Sequence, residues 1–394
     1  MLTMDQVNMR NQRVLIRLDL NVPLESGLIT SFIRINKALP TLKKALSIAK
    51  KVIVMSHLGR PQEGKFEKRY SLEPIAKYLG EKLDLTVPVC SSFLEVSDMV
   101  GKLILLENVR FNQGEKSNCD KLSKKYASLC DIFVMDAFAT AHREQASTQG
   151  VARYASRACI GPLLQKEIES LNKCFDNPER PVSAIVGGSK VSSKLGVLEN
   201  LSQRVDYLIV GGGIANTFLV AANKKIGKSL YEEKLVKRAK KIMELVEVVV
   251  PIDVVVANNL SDASVGSIKT LDNIHSHEMI LDLGPETVEK ISKIVKNSKT
   301  IIWNGPLGVF EIEQFSKGTK NVSLAVAESK AFSAAGGGDT IAAIEKYNIA
   351  RDISYISTGG GAFLNFLESG WLPALKIQPE TLDYECRCGV RVCK

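Results

Sequence analysis

Four short stretches in the second half of this 394-residue chain carry glycines in pairs or triplets: GGSK (187–190), GGG (211–213), GGGDT (336–340) and STGGGA (357–362). Glycine lets backbone N–H groups approach a ligand closely. At a helix start those groups also meet the positive end of the helix dipole, and the combination holds phosphate. One such loop serves a tight turn as well as a ligand; four in one half of a chain point to a nucleotide. Lys190 and Lys194 lie four apart behind Gly187-Gly188, a spacing that predicts one helical face, either turned to phosphate or solvated. Asp339, after three glycines, suits Mg²⁺, which accepts sparse carboxylate ligation, and suits a helix N-cap equally.

The first half offers a different set: Arg34, His57, Arg60, Arg110, His142 and Arg143. Converging guanidiniums recognise phosphate and carboxylate oxygens bidentately. Asp19 and Asn21, in RVLIRLDLNVP, fit a substrate hydroxyl, and with Pro23 they also fit plain turn chemistry. Two familiar motifs fall away. IGKS (226–229) ends like a P-loop, but Ala222 stands where that loop needs its first glycine. No G-x-G-x-x-G opens a helix after the first strand, which counts against a dinucleotide enzyme.

The elements that must position these residues follow one pattern, a short β-branched run, then glycine or a turn, then a helical stretch. VIVMS (52–56), LILLENV (103–109) and IFVMDAF (132–138) show it in the first half; SAIVGG (183–188), YLIVGGG (207–213), TIIWNG (300–305), AFSAAGGG (331–338) and ISYISTGGG (353–361) show it in the second. Near-continuous apolar runs read as parallel strands covered on both faces, with helices as crossovers. The fold class is α/β, two open, doubly wound, mostly parallel sheets. In such sheets ligands bind beyond the carboxyl ends of the strands, where every residue named above falls. Between the halves, GPLLQKEIESLNKCFDNPERP (161–181) places Leu164, Ile168, Leu171 and Phe175 at helical spacing, with Pro162 at the start and Asn177, Pro178 and Pro181 past the end. It reads as a hinge helix or as an ordinary helix of one domain.

Composition agrees with two domains, each large enough for its own core. Basic residues number 52 and acidic residues 43, and the surplus is one-sided: residues 1–160 hold 24 basic against 16 acidic side chains, the rest 28 against 27. A basic half attracts anions. Its cations are spread along the chain without interleaved aromatics, so a small anionic ligand is expected and nucleic acid is not. No apolar run is long enough to span a bilayer, and no signal-peptide core opens the chain; a cytoplasmic protein without a membrane partner is expected. The eight cysteines form no C-x-x-C pair, which argues for reduced thiols, and a metal site at Cys386, Cys388 and Cys393 lacks a nearby histidine.

Taken together, RVLIRLDLNVPL, SHLGRP, LLENVRF, DAFATAHR, GGSKVSSKLGVLENL, GGGIANTFL, WNGPLGVFE, GGGDT and STGGGAFL closely resemble phosphoglycerate kinase, in family order over about residues 13 to 375. The resemblance implies two Rossmann-like domains facing across a cleft and joined by a hinge helix. They would cover residues 1–164, with the tail 376–394 docking back, and 165–375. It implies 3-phosphoglycerate or 1,3-bisphosphoglycerate on the first and ATP or ADP with Mg²⁺ on the second, in a monomer. Asp19, Asn21, Arg34, His57, Arg60, Arg110 and Arg143 would bind the glycerate, Arg34 also neutralising the reacting carboxylate. Lys190 would follow the transferring phosphoryl group and Lys194 would hold nucleotide phosphate. Gly211, Gly337, Gly338, Asp339 and Thr340 would line the nucleotide, with Asp339 on the metal and Glu311 on the ribose. Gly359, Gly360 and Gly361 would offer N–H groups during transfer. The sequence departs from the family pattern at Ser31, Phe32, Gln145 and Asn365, and in the cysteine-bearing tail from Ile377.

Overall fold

A computed structural model describes residues 2–261 and 264–376. Among the described residues the chain divides into two compact units, 2–165 with 372–376, and 166–371. The resemblance placed the return to the first unit after residue 375; it comes at Leu372. The tail cysteines and the expected docking of residues 377–394 lie outside the described residues.

The first unit is built on six strands: β1 (Arg13–Leu18), β2 (Lys51–Met55), β3 (Val89–Cys90), β4 (Leu103–Leu106), β5 (Ile132–Asp136) and β6 (Ala158–Ile160), in the order β3-β4-β2-β1-β5-β6. Every pairing is parallel. The central runs are buried on both faces, as the lack of alternation in VIVM and IFVM required. Helices α1 (Ile33–Ile48), α2 (Glu73–Leu83) and α3 (Asp120–Ser128) belong to this unit, and residues of α1 and α2 share one apolar core with the sheet, including Ile35, Leu42, Ile75 and Leu79. The strand order reverses between β1 and β5, which opens a crevice at their carboxyl ends.

Helix α4 (Pro162–Phe175) carries the chain from one unit to the other. Its start is fixed within the first unit by the buried Asp136 at the end of β5, which accepts from the Leu164 N–H at 2.9 Å and the Thr41 hydroxyl at 2.6 Å. A Cβ at position 161 would stand 2.3 Å from the Asp136 carboxyl carbon, so Gly161 is required there.

The second unit repeats the design with β7 (Val182–Val186), β8 (Tyr207–Val210), β9 (Glu247–Val249), β13 (Thr300–Asn304), β14 (Phe332–Ala335) and β15 (Tyr355–Ile356), ordered β9-β8-β7-β13-β14-β15 and all parallel. Between β9 and β13 the chain adds a three-stranded antiparallel sheet, β10 (Asp253–Ala257), β11 (Ser267–Thr270) and β12 (Met279–Leu283), with β10 in the middle. The sequence reading did not anticipate it. VEVVVPIDVVVA, an apolar stretch that Pro251 and Asp253 interrupt, holds strands of two sheets: β9 ends at Val249 and β10 begins at Asp253. Helices α5 (Leu195–Leu201), α6 (Gly212–Ala221), α7 (Val236–Leu245), α8 (Pro285–Asn297), α9 (Lys317–Glu328), α10 (Gly338–Lys346) and α11 (Gly360–Ser369) complete the unit. The strand order reverses between β7 and β13.

Candidate active site

In the first unit, four element ends meet. Asp19, just past β1, accepts from Arg34 in the first turn of α1 at 2.6 Å and from the Asn21 N–H at 3.2 Å. Asn21 in turn accepts from the Gly59 N–H at 2.9 Å, beyond β2. The Gly59 carbonyl accepts from Arg110, beyond β4. Gly59 has φ +60°, and a Cβ there would lie 2.3 Å from the Tyr70 ring, so only glycine fits the turn. Phe32, one of the departures from the family pattern, stacks on Tyr78 at 4.3 Å beside the start of α1. Gln145, another, is buried and closes a reciprocal cap with Thr148.

His57 is the centre of this edge. Arg17, wholly buried in β1, brings a guanidinium nitrogen to 3.2 Å from its Nδ1. Arginine has no lone pair to give, so Nδ1 accepts and a neutral ring carries its proton on Nε2. Burial pushes the His57 pKa well below the usual range, and the charges of Arg17, Arg110, Arg143 and Arg34 push it further. Arg17 also donates to the Ser147 hydroxyl at 3.1 Å, which donates to Glu115 at 2.6 Å. Burial lifts Glu115 to about 7 against the pull of Ser147 and Arg17. Arg110 is brought down to about 10 by burial and then by Arg143, Arg17 and Arg60, so these cations share one field. Arg143 donates to His142 Nε2 at 3.2 Å. Among the described residues Arg60, Arg110 and Arg143 make no ion pair, and the buried Arg110 Nε has no partner.

In the second unit the β7 and β13 loops interlock at the reversal point. The Gly187 N–H donates to the Asn304 carbonyl at 3.0 Å, and a Cβ on Gly187 would strike the Pro306 carbonyl oxygen at 1.7 Å. Lys194 donates to the carbonyls of Gly187 at 2.5 Å and Asn304 at 3.1 Å; burial lowers its pKa to about 8, with Asp339 pulling it back up. The expectation that Lys190 and Lys194 share a helical face is corrected here. Val191–Ser193 forms a 3-10 turn and α5 starts only at Leu195, leaving Lys190 extended and exposed. The triplet at 211–213 also behaves differently from a row of bare amides. The Gly211 N–H donates to Val186 at 3.2 Å and the Gly212 N–H to Leu307 at 2.9 Å, so these glycines serve close backbone packing.

Open donors sit elsewhere. Among the described residues no protein acceptor takes the N–H of Gly338, Asp339, Gly360 or Gly361, which begin α10 and α11. Gly337 precedes α10 at φ +102°, and Asp339 and Glu311 are exposed. Thr340 is buried, its hydroxyl accepting from the Gly305 N–H at 2.7 Å and donating to Gly336 at 2.9 Å, so it braces the loop. Glu167 of α4 accepts from the Thr358 hydroxyl at 2.6 Å, the Thr358 N–H at 3.1 Å and the Ser357 hydroxyl at 3.1 Å, fixing the chain ahead of Gly359.

Sequence reasoning missed Arg17, Asn304 and Glu167. Asn304, whose Oδ1 is buried and unpartnered, ends β13 next to Gly305, and that position was its signal. Arg17 gave one too, a cation inside an otherwise apolar strand. Glu167 gave none, because one glutamate on an amphipathic helix looks solvated.

Two doubly wound sheets thus carry cations gathered on one carboxyl edge and open amides on the other. The phosphoglycerate kinase family model matches residues 4–370. A solved structure of phosphoglycerate kinase from Coxiella burnetii is 52% identical, with TM-score 0.91, over 95% of this chain and 97% of that one. Another, from Pyrococcus horikoshii OT3, is 33% identical with TM-score 0.76 over 96% and 98%. The chain belongs to the phosphoglycerate kinase family.

Proposed function

We propose that this kinase passes a phosphoryl group reversibly between 1,3-bisphosphoglycerate and ADP, giving 3-phosphoglycerate and ATP. The reading is carried by the field around His57, a neutral imidazole at the first crevice that Arg17, Arg110 and Arg143 act on, none of them in an ion pair among the described residues. That site suits a small, multiply charged anion bearing both phosphate and carboxylate. Asp19 and Asn21 would orient its hydroxyl, and Arg34, Arg60, Arg110, Arg143 and the His57 Nε2–H would hold its oxygens. Members of the family give the ligand its name; the residues supply its charge pattern.

In the ATP-forming direction an oxygen of the ADP β-phosphate attacks the phosphorus on the glycerate C1. The bond from that phosphorus to the acyl oxygen breaks, and the electron pair stays on the carboxylate released. No proton moves, so no general base is needed, and catalysis rests on alignment and charge stabilisation. Arg34 would neutralise the carboxylate as it forms. Lys190, exposed and extended, would follow the phosphoryl group, and the Gly360 and Gly361 N–H groups would meet its oxygens. Lys194 would hold nucleotide phosphate, Glu311 the ribose, and Gly337, Gly338 and Thr340 the loop over the phosphates.

Asp339 fits Mg²⁺: it offers an exposed hard-oxygen donor beside open amides, and its charge reaches Lys194. The Asp339 carboxylate would hold the ion, which would supply positive charge to offset that of the phosphates. The protein would act as a monomer in the cytoplasm, and no helix among the described residues is long and apolar enough to cross a membrane. Because the ligands must meet for in-line transfer, the units would close around them, with α4 as hinge. A coupled assay with 1,3-bisphosphoglycerate and MgADP tests the activity, and absence of turnover would refute it. Solution scattering should show a smaller radius of gyration with both ligands bound; an unchanged radius would refute closure.

A further inference from the structure

The segment from Gly308 to Ile312 carries Glu311, and its anchors converge on one buried acid. Leu307 and Gly308 donate their N–H groups to the Thr319 hydroxyl oxygen at 3.2 and 3.0 Å, and Val309 donates to the Leu281 carbonyl at 2.9 Å. Val309 and Ile312 pack against Leu281, Ala257 and Phe315. Thr319 lies in α9 and Leu281 in β12, so the segment is pinned where those two elements meet. Asp282 fills that seam at 1% exposure. One carboxyl oxygen accepts from the Gly318 N–H at 2.7 Å, and the other is buried with no hydrogen bond. A Cβ on Gly308 would come within 2.1 Å of that second oxygen, and one on Gly318 within 2.4 Å. The carboxyl is therefore wedged between two bare Cα atoms, one on the Glu311 segment and one on α9.

A buried acid with a free oxygen is a poor choice for stability alone, since an apolar side chain would fill the space without the desolvation cost. We propose that Asp282 is a positioning residue for nucleotide binding, acting through the Gly308–Glu311 segment. It sets the seat of Gly308 against β12 and α9, and with it the placement of Glu311 two residues beyond Val309. Burial raises this carboxyl to about 7 against the pull of backbone N–H groups, that of Gly318 first, as expected of an acid held in place by packing. The inference rests on the nucleotide reading of Glu311 given above.

The test measures MgADP binding by calorimetry, the two substrate KM values separately, and thermal stability, in wild type, Asp282→Ala, Asp282→Asn and Gly308→Ala. Asp282→Ala should weaken MgADP about tenfold or more while the KM for 3-phosphoglycerate stays within about twofold. Asp282→Asn, of the same shape, should recover most of the loss. Gly308→Ala, which drives a methyl into the carboxyl, should reproduce the nucleotide-only defect and carries the test if Asp282→Ala does not fold. Unchanged MgADP affinity in the folded variants, or equal loss of both substrates, would overturn the inference. A wild type that does not bind MgADP would instead overturn the functional reading beneath it.

Discussion

Lys190 and Lys194 show how position separates two cations of the same type. Lys190 is exposed and extended, whereas Lys194 is committed to the Gly187 and Asn304 carbonyls. Lys190→Ala should lower kcat about 10²- to 10³-fold with little change in nucleotide affinity, because its contact strengthens in the transition state. Near-normal turnover would exclude that role. Arg34→Ala should cost about tenfold or more in both kcat and 3-phosphoglycerate affinity, read from initial rates; intact affinity would displace Arg34 from the glycerate. Lys194 should report itself through pH. Its pKa is lowered to about 8, so the free protein increasingly holds a neutral amine above that pH, while phosphate prefers the ammonium. Nucleotide affinity should therefore fall as pH rises through about 8, and Lys194→Met should both weaken binding and remove that slope in a calorimetric titration.

Strands and the loops that follow them were legible because the physics is local. Runs such as VIVM and IFVM lack alternation, so they had to be buried on both faces, and the carboxyl-end rule then placed His57, Arg110 and the glycine triplets at the crevices. What stayed hidden depended on partners distant in sequence. The Val191–Ser193 turn interrupts a spacing that looked helical, and the Gly211 and Gly212 amides are consumed by loops the sequence does not show as neighbours. The antiparallel insert was masked by two strands of different sheets lying end to end. Gly59 belongs to the hidden kind, one residue whose backbone joins three elements through Asn21 and Arg110, both distant in sequence. Gly59→Ala should destabilise the fold by about 1–3 kcal/mol, from positive φ and the Tyr70 contact, and should weaken 3-phosphoglycerate binding with it. A variant with unchanged melting temperature would show that the turn adapts.

On the proposed reading, the charge asymmetry of the whole chain would be a division of labour between substrates. One half collects unpaired guanidiniums, and the other holds its open donors on uncharged backbone. Raising ionic strength from about 10 to 200 mM should therefore increase the KM for 3-phosphoglycerate several-fold and that for nucleotide less; equal sensitivity would contradict the division. The path of the chain carries a further consequence. Leu372 to Lys376 belong with the first unit, where Ala374 donates to the Ala141 carbonyl at 3.0 Å, next to His142 and Arg143, and Leu372 and Ala374 are buried. On the ribosome that segment emerges only after the entire Lys166–Trp371 unit. The half of the molecule translated first is thus completed last, and the turn bearing Arg143 waits for its brace until the nucleotide unit has already been synthesised.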